Sequence, residues 1–316
     1  MNKKTPILYI VSPCYNEEPV LPTSAKRLKE KMETLLAEQK IATGSRILFV
    51  DDGSKDKTYQ VIQDLHDADP LFVGVKLAHN RGQQNALLAG LSVAHQSADI
   101  VITIDADLQD DINAIDKMIE EYMNGAEIVY GVRSTRKKDT IFKRTTAHAF
   151  YKLMLKMGVE IIYDHSDFRL MDKTALDALF EYQERNLFLR GIVPQLGFKT
   201  AKVAYPRAER EAGESKYPLS KMITFALNGI ASCSTKPLSI IWKLGIIFHL
   251  LSLIGLITTL TLMYTINLHF MWSIICALGW FTSIILLALS IIAFYLGKTY
   301  LEAKHRPLFK IEKVLD

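Results

Sequence analysis

Between Leu244 and Gly297 the chain carries no Asp, Glu, Lys or Arg. The hydrocarbon core of a bilayer takes roughly 20 apolar residues per helix, so this stretch has room for two spans. They divide as Trp242–Ile266 and Met271–Leu296, turning at Asn267, Leu268 and His269. The alternative, a buried helical hairpin, would place two consecutive long uncharged runs inside a soluble core. The whole chain is 23% charged with a formal net charge of +4, so the charge is concentrated outside this stretch. Lys236 and Lys243 precede it, Lys298, Lys304, Arg306, Lys310 and Lys313 follow it, and the short turn has no basic residue. The positive-inside bias then predicts a multi-pass protein of the cell membrane, with both termini and the large N-terminal part in the cytoplasm. Met1-Asn2-Lys3-Lys4 leads directly into an apolar run, so no signal peptide is expected. Cys14, Cys233 and Cys276 lie far apart without metal spacing and read as reduced structural thiols.

The first 130 or so residues alternate apolar runs with helical patterns. Strands are expected at Ile7–Ser12, Arg46–Val50, Leu71–Lys76, Asp99–Ile104 and Glu127–Val132. Helices are expected near Val20–Gln39, Lys57–His66, Gln83–His95 and Asn113–Met123. Repeated βα units with nearly continuous apolar strands predict an α/β fold with a mostly parallel sheet covered on both faces. Ligands in such sheets sit outside the carboxyl ends of the strands, where each polar cluster of this half falls. From Arg133 to Met157 there are eight basic residues against one acid, and Phe142, Thr146, Phe150, Leu153 and Met157 recur at helical spacing. This basic amphipathic segment is either a membrane-surface helix or a solvated helix packed on the sheet; the two spans favour the first. A second amphipathic stretch, Leu219–Ile230, leads through Lys236-Pro237 into the first span and reads as another interfacial helix.

Asp105-Ala106-Asp107-Leu108-Gln109 directly follows an apolar strand. Two carboxylates so spaced can turn towards one hard cation, Mg²⁺ or Mn²⁺, which keeps phosphate oxygens in its shell; a solvated acidic turn has the same spelling. Asp51-Asp52-Gly53-Ser54 is a second acidic strand end, suited either to hydrogen-bonding a base or ribose, or to a capped turn. Pro13-Cys14-Tyr15-Asn16-Glu17-Glu18 offers an aromatic and an acid to a nucleoside, or is a loop capped at Asn16. Arg210-Glu211-Ala212-Gly213-Glu214-Ser215-Lys216-Tyr217 is either a loop closing over a diphosphate or solvated surface. His165-Ser166-Asp167-Phe168-Arg169 holds an acid and a base around an aromatic, either as a buried ion pair or as an acceptor-site element.

Together, PCYNE at Pro13–Glu17, VDDGSKD at Val50–Asp56, NRGQQNALLAG at Asn80–Gly90, DADLQD at Asp105–Asp110, SDFRLMD at Ser166–Asp172 and RxxGxSKY at Arg210–Tyr217 resemble the family 2 glycosyltransferases of GT-A (Rossmann-like) type. Within that family the order of motifs and the two trailing spans are similar to the polyprenyl-phosphate hexose synthases, the group of dolichol-phosphate mannose synthase and bactoprenol glucosyltransferase. The resemblance implies inverting transfer of a hexose from a nucleotide sugar, UDP-glucose or UDP-GlcNAc first, to undecaprenyl or another polyisoprenyl phosphate, for cell-envelope glycan modification. It implies that Pro13, Tyr15, Glu17, Asp52, Asp105, Ala106, Arg210 and Lys216 bind the nucleotide sugar. Asp105, Asp107 and Gln109 would hold Mg²⁺ or Mn²⁺, Arg133, Arg144 and Arg169 would meet the acceptor phosphate, and Asp107, Asp167, Arg210 and Lys216 would carry the catalysis. Asp167 matches an acid suggested as a base or positioning group. The Gln-x-x-Arg-Trp motif typical of processive synthases is absent, which argues for single transfer.

The expected organisation is a nucleotide-sugar-binding core at 1–132, an acceptor-side part with both interfacial helices at 133–235, two transmembrane helices at 236–298 and a cytoplasmic tail at 299–316. The expected partners are the nucleotide sugar, the polyisoprenyl phosphate lipid and the membrane, with no nucleic acid. A homo-oligomer through the membrane region is left open. The rival reading is a non-catalytic membrane scaffold with a degenerate transferase domain, against which the intact Asp105 and Asp107 stand.

Overall fold

The computed structural model describes residues 4–134, 151–159, 162, 165–182, 184–185, 188–206, 227–262 and 270–316. Apolar runs become strands where both faces can be covered: β1 (Leu8–Cys14), β2 (Arg46–Asp51), β3 (Phe72–Leu77), β4 (Ile100–Thr103) and β5 (Ile128–Arg133). Between them run α1 (Leu21–Ala37), α2 (Thr58–Ala68), α3 (Gln83–Ala94) and α4 (Ala114–Met123). All nine lie where the sequence pattern predicts them, within a few residues.

Beyond β5 the chain adds β6 (His165–Asp172), α5 (Lys173–Glu181), α6 (Leu189–Gln195), β7 (Thr200–Tyr205), α7 (Lys236–Leu262), α8 (Phe270–Ala303) and β8 (Ile311–Leu315). The eight strands form one sheet in the order β7-β5-β6-β4-β1-β2-β3-β8. β1 to β4 pair in parallel, as do β5 and β7, whereas β6 and β8 run antiparallel to their neighbours. The fold is thus α/β with a mostly parallel sheet of GT-A-like type.

Strand alternation divides the core into two layers. Ile10, Phe49 and Ile102 face α1, α2 and α4, while Val11, Val50, Val101 and Tyr130 face α3, α5 and α6. The α3 layer is unusually close: a Cβ at Gly90 would lie 2.5 Å from Val11 Cγ1 and 2.7 Å from Val50 Cγ2.

One expectation is corrected at the C-terminus. The segment 299–316 was expected as a tail, yet Ile311–Leu315 is β8 at the sheet edge. Leu315 packs over Gly74 and Ile62, and Lys76 Nζ pairs with Glu312 Oε1 at 2.9 Å. In IEKVL Leu315 is buried and Ile311 partly buried, while Val314 is exposed; a five-residue run of this kind does not advertise its edge partner.

The described residues of the charge-free stretch belong to α7 and α8. Among the described residues, one helical segment, Trp280–Ala303, is long and apolar enough to cross a membrane. Leu250, Leu251, Ile254, Leu286, Leu287 and Leu289 stand exposed, a density of apolar surface that soluble monomers avoid. The far end of α8 docks on the sheet domain. Glu302 accepts from the Arg185 amide at 2.8 and 2.7 Å, Lys298 Nζ donates to Asn228 Oδ1 at 2.9 Å, and the Tyr295 hydroxyl donates to the Ser234 carbonyl at 2.7 Å.

Residues 151–156 and 227–233 are helical; the rest of both amphipathic segments lies outside the described residues. Leu153, Met157, Leu227 and Ile230 from these segments, with Ile240, Leu244, Ile284 and Phe294 of α7 and α8, line an apolar cleft of about 820 Å³.

The tight α3 contact generates a stability prediction. G90A gains about 1 kcal/mol in helix propensity but overpacks two β-branched side chains, and is expected to lose about 1–3 kcal/mol net of stability. The midpoint of chemical denaturation in detergent measures this, and V11A should restore part of the loss in the G90A background.

Candidate functional site

β1, β2 and β4 run in parallel, so their carboxyl ends share one edge, and the loops beyond them build the site. The first two loops are stitched together. Asn16, at φ 53, donates its amide to Ser54 Oγ at 3.0 Å and accepts from the Lys55 amide at 2.9 Å. The Glu17 amide donates to Thr58 Oγ1 at 2.9 Å, and the Glu17 carbonyl accepts from Val20 and Leu21 to start α1. Asn16 therefore ties two loops and does not cap the helix. Tyr15 is exposed, while Pro13 and Glu17 are half-buried.

Asp52, expected at the nucleoside, has a different observed task. It is buried, and its two oxygens accept from the amides of Arg81 at 2.7 Å and Gly82 at 2.8 Å. Gly53 sits at φ +65, and a Cβ there would fall 2.6 Å from the Asn80 nitrogen. The acidic strand end thus clamps the β3–α3 loop at residues 79–82. That loop delivers two glutamines from the start of α3. Gln83 Nε2 donates to Asp105 Oδ1 at 2.7 Å, and Gln84 Oε1 accepts from the Leu189 amide at 3.2 Å.

Asp105 and Asp107 stand beyond β4 on a tight turn. Leu108 takes φ 43, its amide donating to the Asp105 carbonyl at 3.1 Å. The Gln109 amide donates to Asp107 Oδ1 at 3.3 Å, and the buried Ala106 carbonyl accepts from Ser24 Oγ at 2.6 Å. Burial, then the neighbouring Asp110, Asp167 and Asp107, push the Asp105 carboxyl up to about 7. Like charges so crowded favour either a proton or a cation. Among the described residues no three acidic, imidazole or thiol groups converge as a ready-made metal cage. Asp105 and Asp107 fit a cation that takes its remaining oxygens from phosphate and water, as Mg²⁺ usually does.

Two carboxylates flank this pair, each holding a guanidinium. Asp110 accepts from Arg133 Nε at 3.2 Å and Nη2 at 3.0 Å, from the Tyr205 hydroxyl at 2.6 Å and from Ser166 Oγ at 3.3 Å. Burial opposes the charge on Arg133, and Asp110 more than restores it. Asp167 accepts from Arg169 Nη2 at 3.2 Å, from Arg190 Nε at 3.1 Å and from Arg190 Nη2 at 2.9 Å. Burial raises the Asp167 pKa, but Arg190 and then Arg169 pull it well below the usual carboxylate range.

Of the two meanings open for the segment around Phe168, the structure realises the buried ion pair. Two expectations change with it. A carboxylate held so firmly in its ionised form is a weak proton acceptor, so Asp167 acts as a holder of arginines and is unsuited to being a general base. Arg169 is only 1% exposed, bound to Asp167 and to the Leu189 carbonyl at 3.4 Å, so the acceptor phosphate expected there has no access to it. His165 is buried, with its pKa pushed down to about 3 by desolvation and by Arg190 and Arg169, so it is neutral at physiological pH. Arg144, Arg210 and Lys216 lie outside the described residues.

Arg190 escaped the sequence reading. A lone arginine in the apolar run Leu187-Phe188-Leu189-Arg190-Gly191-Ile192-Val193 is the signal that could have found it, because a charge there needs a partner. Gln83, Gln84 and Asp110 lie inside motifs already singled out, yet residue type alone does not reveal their contacts.

The Asp167 arrangement predicts a stability effect. D167N leaves two arginines facing a neutral amide, and loss of one partner in a buried pair costs about 3–5 kcal/mol. Because Arg190 is partly exposed, at 27% of its side chain, the expected loss lies near the lower end of about 3–5 kcal/mol in chemical denaturation.

Comparison with known proteins gives consistent results. Residues 9–180 match the family model described as glycosyl transferase family 2. The chain is 47% identical over 313 residues to the uncharacterized glycosyltransferase YkoT of Bacillus subtilis, covering 99% of this chain and 93% of that protein. It is 37% identical over 306 residues to the bactoprenol glucosyl transferase of Shigella phage SfV, covering 96% and 97%. Among solved structures, mannosyl-3-phosphoglycerate synthase from Rubrobacter xylanophilus superposes with a TM-score of 0.51 at 17% identity, over 72% of this chain and 73% of that one; that likeness is one of fold.

Proposed function

The chain belongs to glycosyl transferase family 2, and from that premise we propose that it moves a hexose from a nucleotide sugar to a polyisoprenyl phosphate at a membrane surface. The observation that carries the reading is the cluster of Asp105 and Asp107 at a strand end, hemmed in by two aspartates that hold three arginines. Such a cluster suits chemistry in which phosphate groups and a cation meet. Likeness along almost the whole chain to a bactoprenol glucosyl transferase supports a lipid acceptor, and the apolar cleft beside α7 and α8 has the lining that a hydrocarbon tail requires. UDP-glucose and UDP-GlcNAc are the donors to test first.

In this reading Tyr15, Pro13 and Glu17 frame the nucleoside, and Asp52 serves them indirectly by fixing the loop that carries Gln83. Asp105 and Asp107, with Gln109 beside them, hold Mg²⁺ or Mn²⁺, which would supply Lewis-acid stabilisation to the departing diphosphate. Gln83 orients Asp105 through the amide contact. Arg133, held by Asp110, brings positive charge to the same side. Arg210 and Lys216 are assigned to the diphosphate by motif. The acceptor is a phosphate monoester, largely dianionic at neutral pH because its second pKa is about 6. It attacks without a strong base, which agrees with Asp167 being tied to arginines. In-line attack inverts the anomeric centre. Two spans, α7 and α8, anchor the enzyme in the cell membrane with its sheet domain and both termini cytoplasmic. The nucleotide part (1–132) and the acceptor-side part (133–235) share the sheet, β6 of the second lying between β4 and β5 of the first.

The test uses full-length protein in detergent or vesicles with undecaprenyl phosphate and a panel of UDP-, GDP- and other nucleotide sugars, scoring lipid-extractable label. Chelation of divalent ions is expected to cut transfer by about 100-fold or more, with Mg²⁺ or Mn²⁺ restoring it. D107N should do the same without loss of membrane insertion. Full-speed transfer in chelator would remove the metal from the mechanism, and no lipid product from any donor would remove the function.

A further inference from the structure

Resting on that reading, we propose that Arg190, aimed by Asp167, is the guanidinium that receives the acceptor lipid's phosphate, in the place expected of Arg169. Three observations carry this assignment.

The first is access. Of the two arginines on Asp167, Arg169 has a side chain 1% exposed and Arg190 one 27% exposed. A bidentate carboxylate contact fixes the Arg190 plane, and about a quarter of the side chain stays accessible. Planar guanidinium groups suit phosphate recognition better than the point charge of a lysine.

The second is position. Arg190 is bound to Asp167, whose carbonyl accepts from Thr103 Oγ1 at the end of β4, two residues before Asp105, so the guanidinium belongs to the rim around the cation-seeking carboxylates. Its neighbour Leu189 is pinned from both directions. The Leu189 amide donates to Gln84 Oε1 and its carbonyl accepts from Arg169 Nη1. The backbone that carries Arg190 is therefore referenced to the same α3 start that orients Asp105 through Gln83.

The third observation selects the lipid's phosphate over the donor's. The residues flanking Arg190 pack on the membrane-side helices. A Cβ at Gly191 would meet Cys233 Sγ at 2.7 Å and Phe188 at 2.9 Å, and a Cβ at Gly229 would meet Met154 at 2.9 Å and Phe188 at 3.1 Å. Met154, Val159, Phe188 and Ile230 form one buried cluster, and Ile230 also lines the apolar cleft, as do Leu153 and Met157 of the same helical region. Arg190 thus lies between the carboxylates and the wall of the cleft. A lipid with its tail in the cleft and its head at the carboxylates would bring its phosphate past this residue. The donor's nucleoside loops lie at the ends of β1 and β2, across β4.

The experiment compares wild type, R190Q and R190K in two arms. In the binding arm, equilibrium affinity for a polyisoprenyl monophosphate in detergent is measured beside that for the matching polyisoprenol, which lacks the phosphate. In the kinetic arm, KM is measured separately for the lipid phosphate and for the nucleotide sugar. Loss of a charge-assisted phosphate contact is expected to weaken lipid-phosphate binding and raise its KM about 10- to 100-fold in R190Q. R190K should recover part of this, while polyisoprenol affinity and the donor KM stay within about twofold, below the effect of one hydrogen bond. A rise in the donor KM of equal size would hand Arg190 to the diphosphate and overturn the assignment, as would an unchanged affinity for the lipid phosphate. If R190Q fails to fold, R190K decides: unchanged lipid-phosphate binding and KM for a lysine at a bidentate site would also overturn it. If wild type binds the lipid phosphate but transfers no sugar, the proposed reaction fails while the binding arm still judges Arg190.

Discussion

Four carboxylates near the end of one strand, Asp105, Asp107, Asp110 and Asp167, are the constraint from which the rest of the structure follows. Like charges in a partly buried space repel more strongly than they would in water, so each must be neutralised or answered. The chain answers two of them with its own cations, Asp110 with Arg133 and Asp167 with Arg169 and Arg190. Asp105 is left buried under the combined field of its neighbours, and desolvation first, then those charges, raise its carboxyl to about 7. Such an imbalance destabilises the isolated protein locally. A sequence that retains it makes sense where positive charge arrives from outside, and that is the argument for a site working on phosphates with a cation.

The same constraint explains the antiparallel insertion of β6. A purely parallel continuation from β4 to β5 would not bring Ser166 and Asp167 to this place. By running backwards between those strands, β6 delivers its first residues to the carboxyl edge, where Thr103 Oγ1 donates to the Asp167 carbonyl. On the other flank, Asp52 and Gly53 fix residues 79–82, and the start of α3 passes that placement on through Gln83 to Asp105 and through Gln84 to Leu189. The loop beyond β2, the carboxylates and the arginine-bearing helix α6 are therefore referenced to one helix start. Precision of this kind, with polar groups locked by further hydrogen bonds, is what preorganised electrostatic stabilisation requires.

Much of this was legible in the residues. β1 to β5 and α1 to α4 are readable because buried parallel strands are continuous apolar runs and α1, α2 and α4 keep a 3.6-residue apolar period, while α3 is a nearly continuous buried run. β6 is harder, since His165, Ser166, Asp167 and Arg169 look like a loop until the ion pair that buries them is seen. β8 is a short edge strand whose partner lies more than two hundred residues away in the chain, beyond any local signal. At the site, residue type named the carboxylates and Arg169 but missed Arg190, and could not separate an arginine spent on structure from one partly exposed. Arg169 and Arg190 share the same aspartate, and exposure alone tells them apart. Asp52 likewise spells a ligand-binding acid while its oxygens hold backbone amides.

The return of the chain after α8 adds a mechanical consequence. The last turn of that helix holds the segment leading to α6 through Glu302 and Arg185, and a few residues later β8 completes the opposite edge of the sheet against β3. One helix is thus fastened to both flanks of the domain: to the side that carries Arg190 and to the side that carries the first acidic loop. A single flexible linker would let a sheet domain tilt freely on its anchor, at a cost that grows only slowly with linker length. Two attachments on opposite flanks remove that freedom. In the proposed reaction, whose two substrates would come from water and from lipid, a fixed height and tilt of the carboxylate edge above a bilayer would hold a reacting phosphate within reach, so the strand at the far end of the chain would belong to the same positioning problem as the carboxylates themselves.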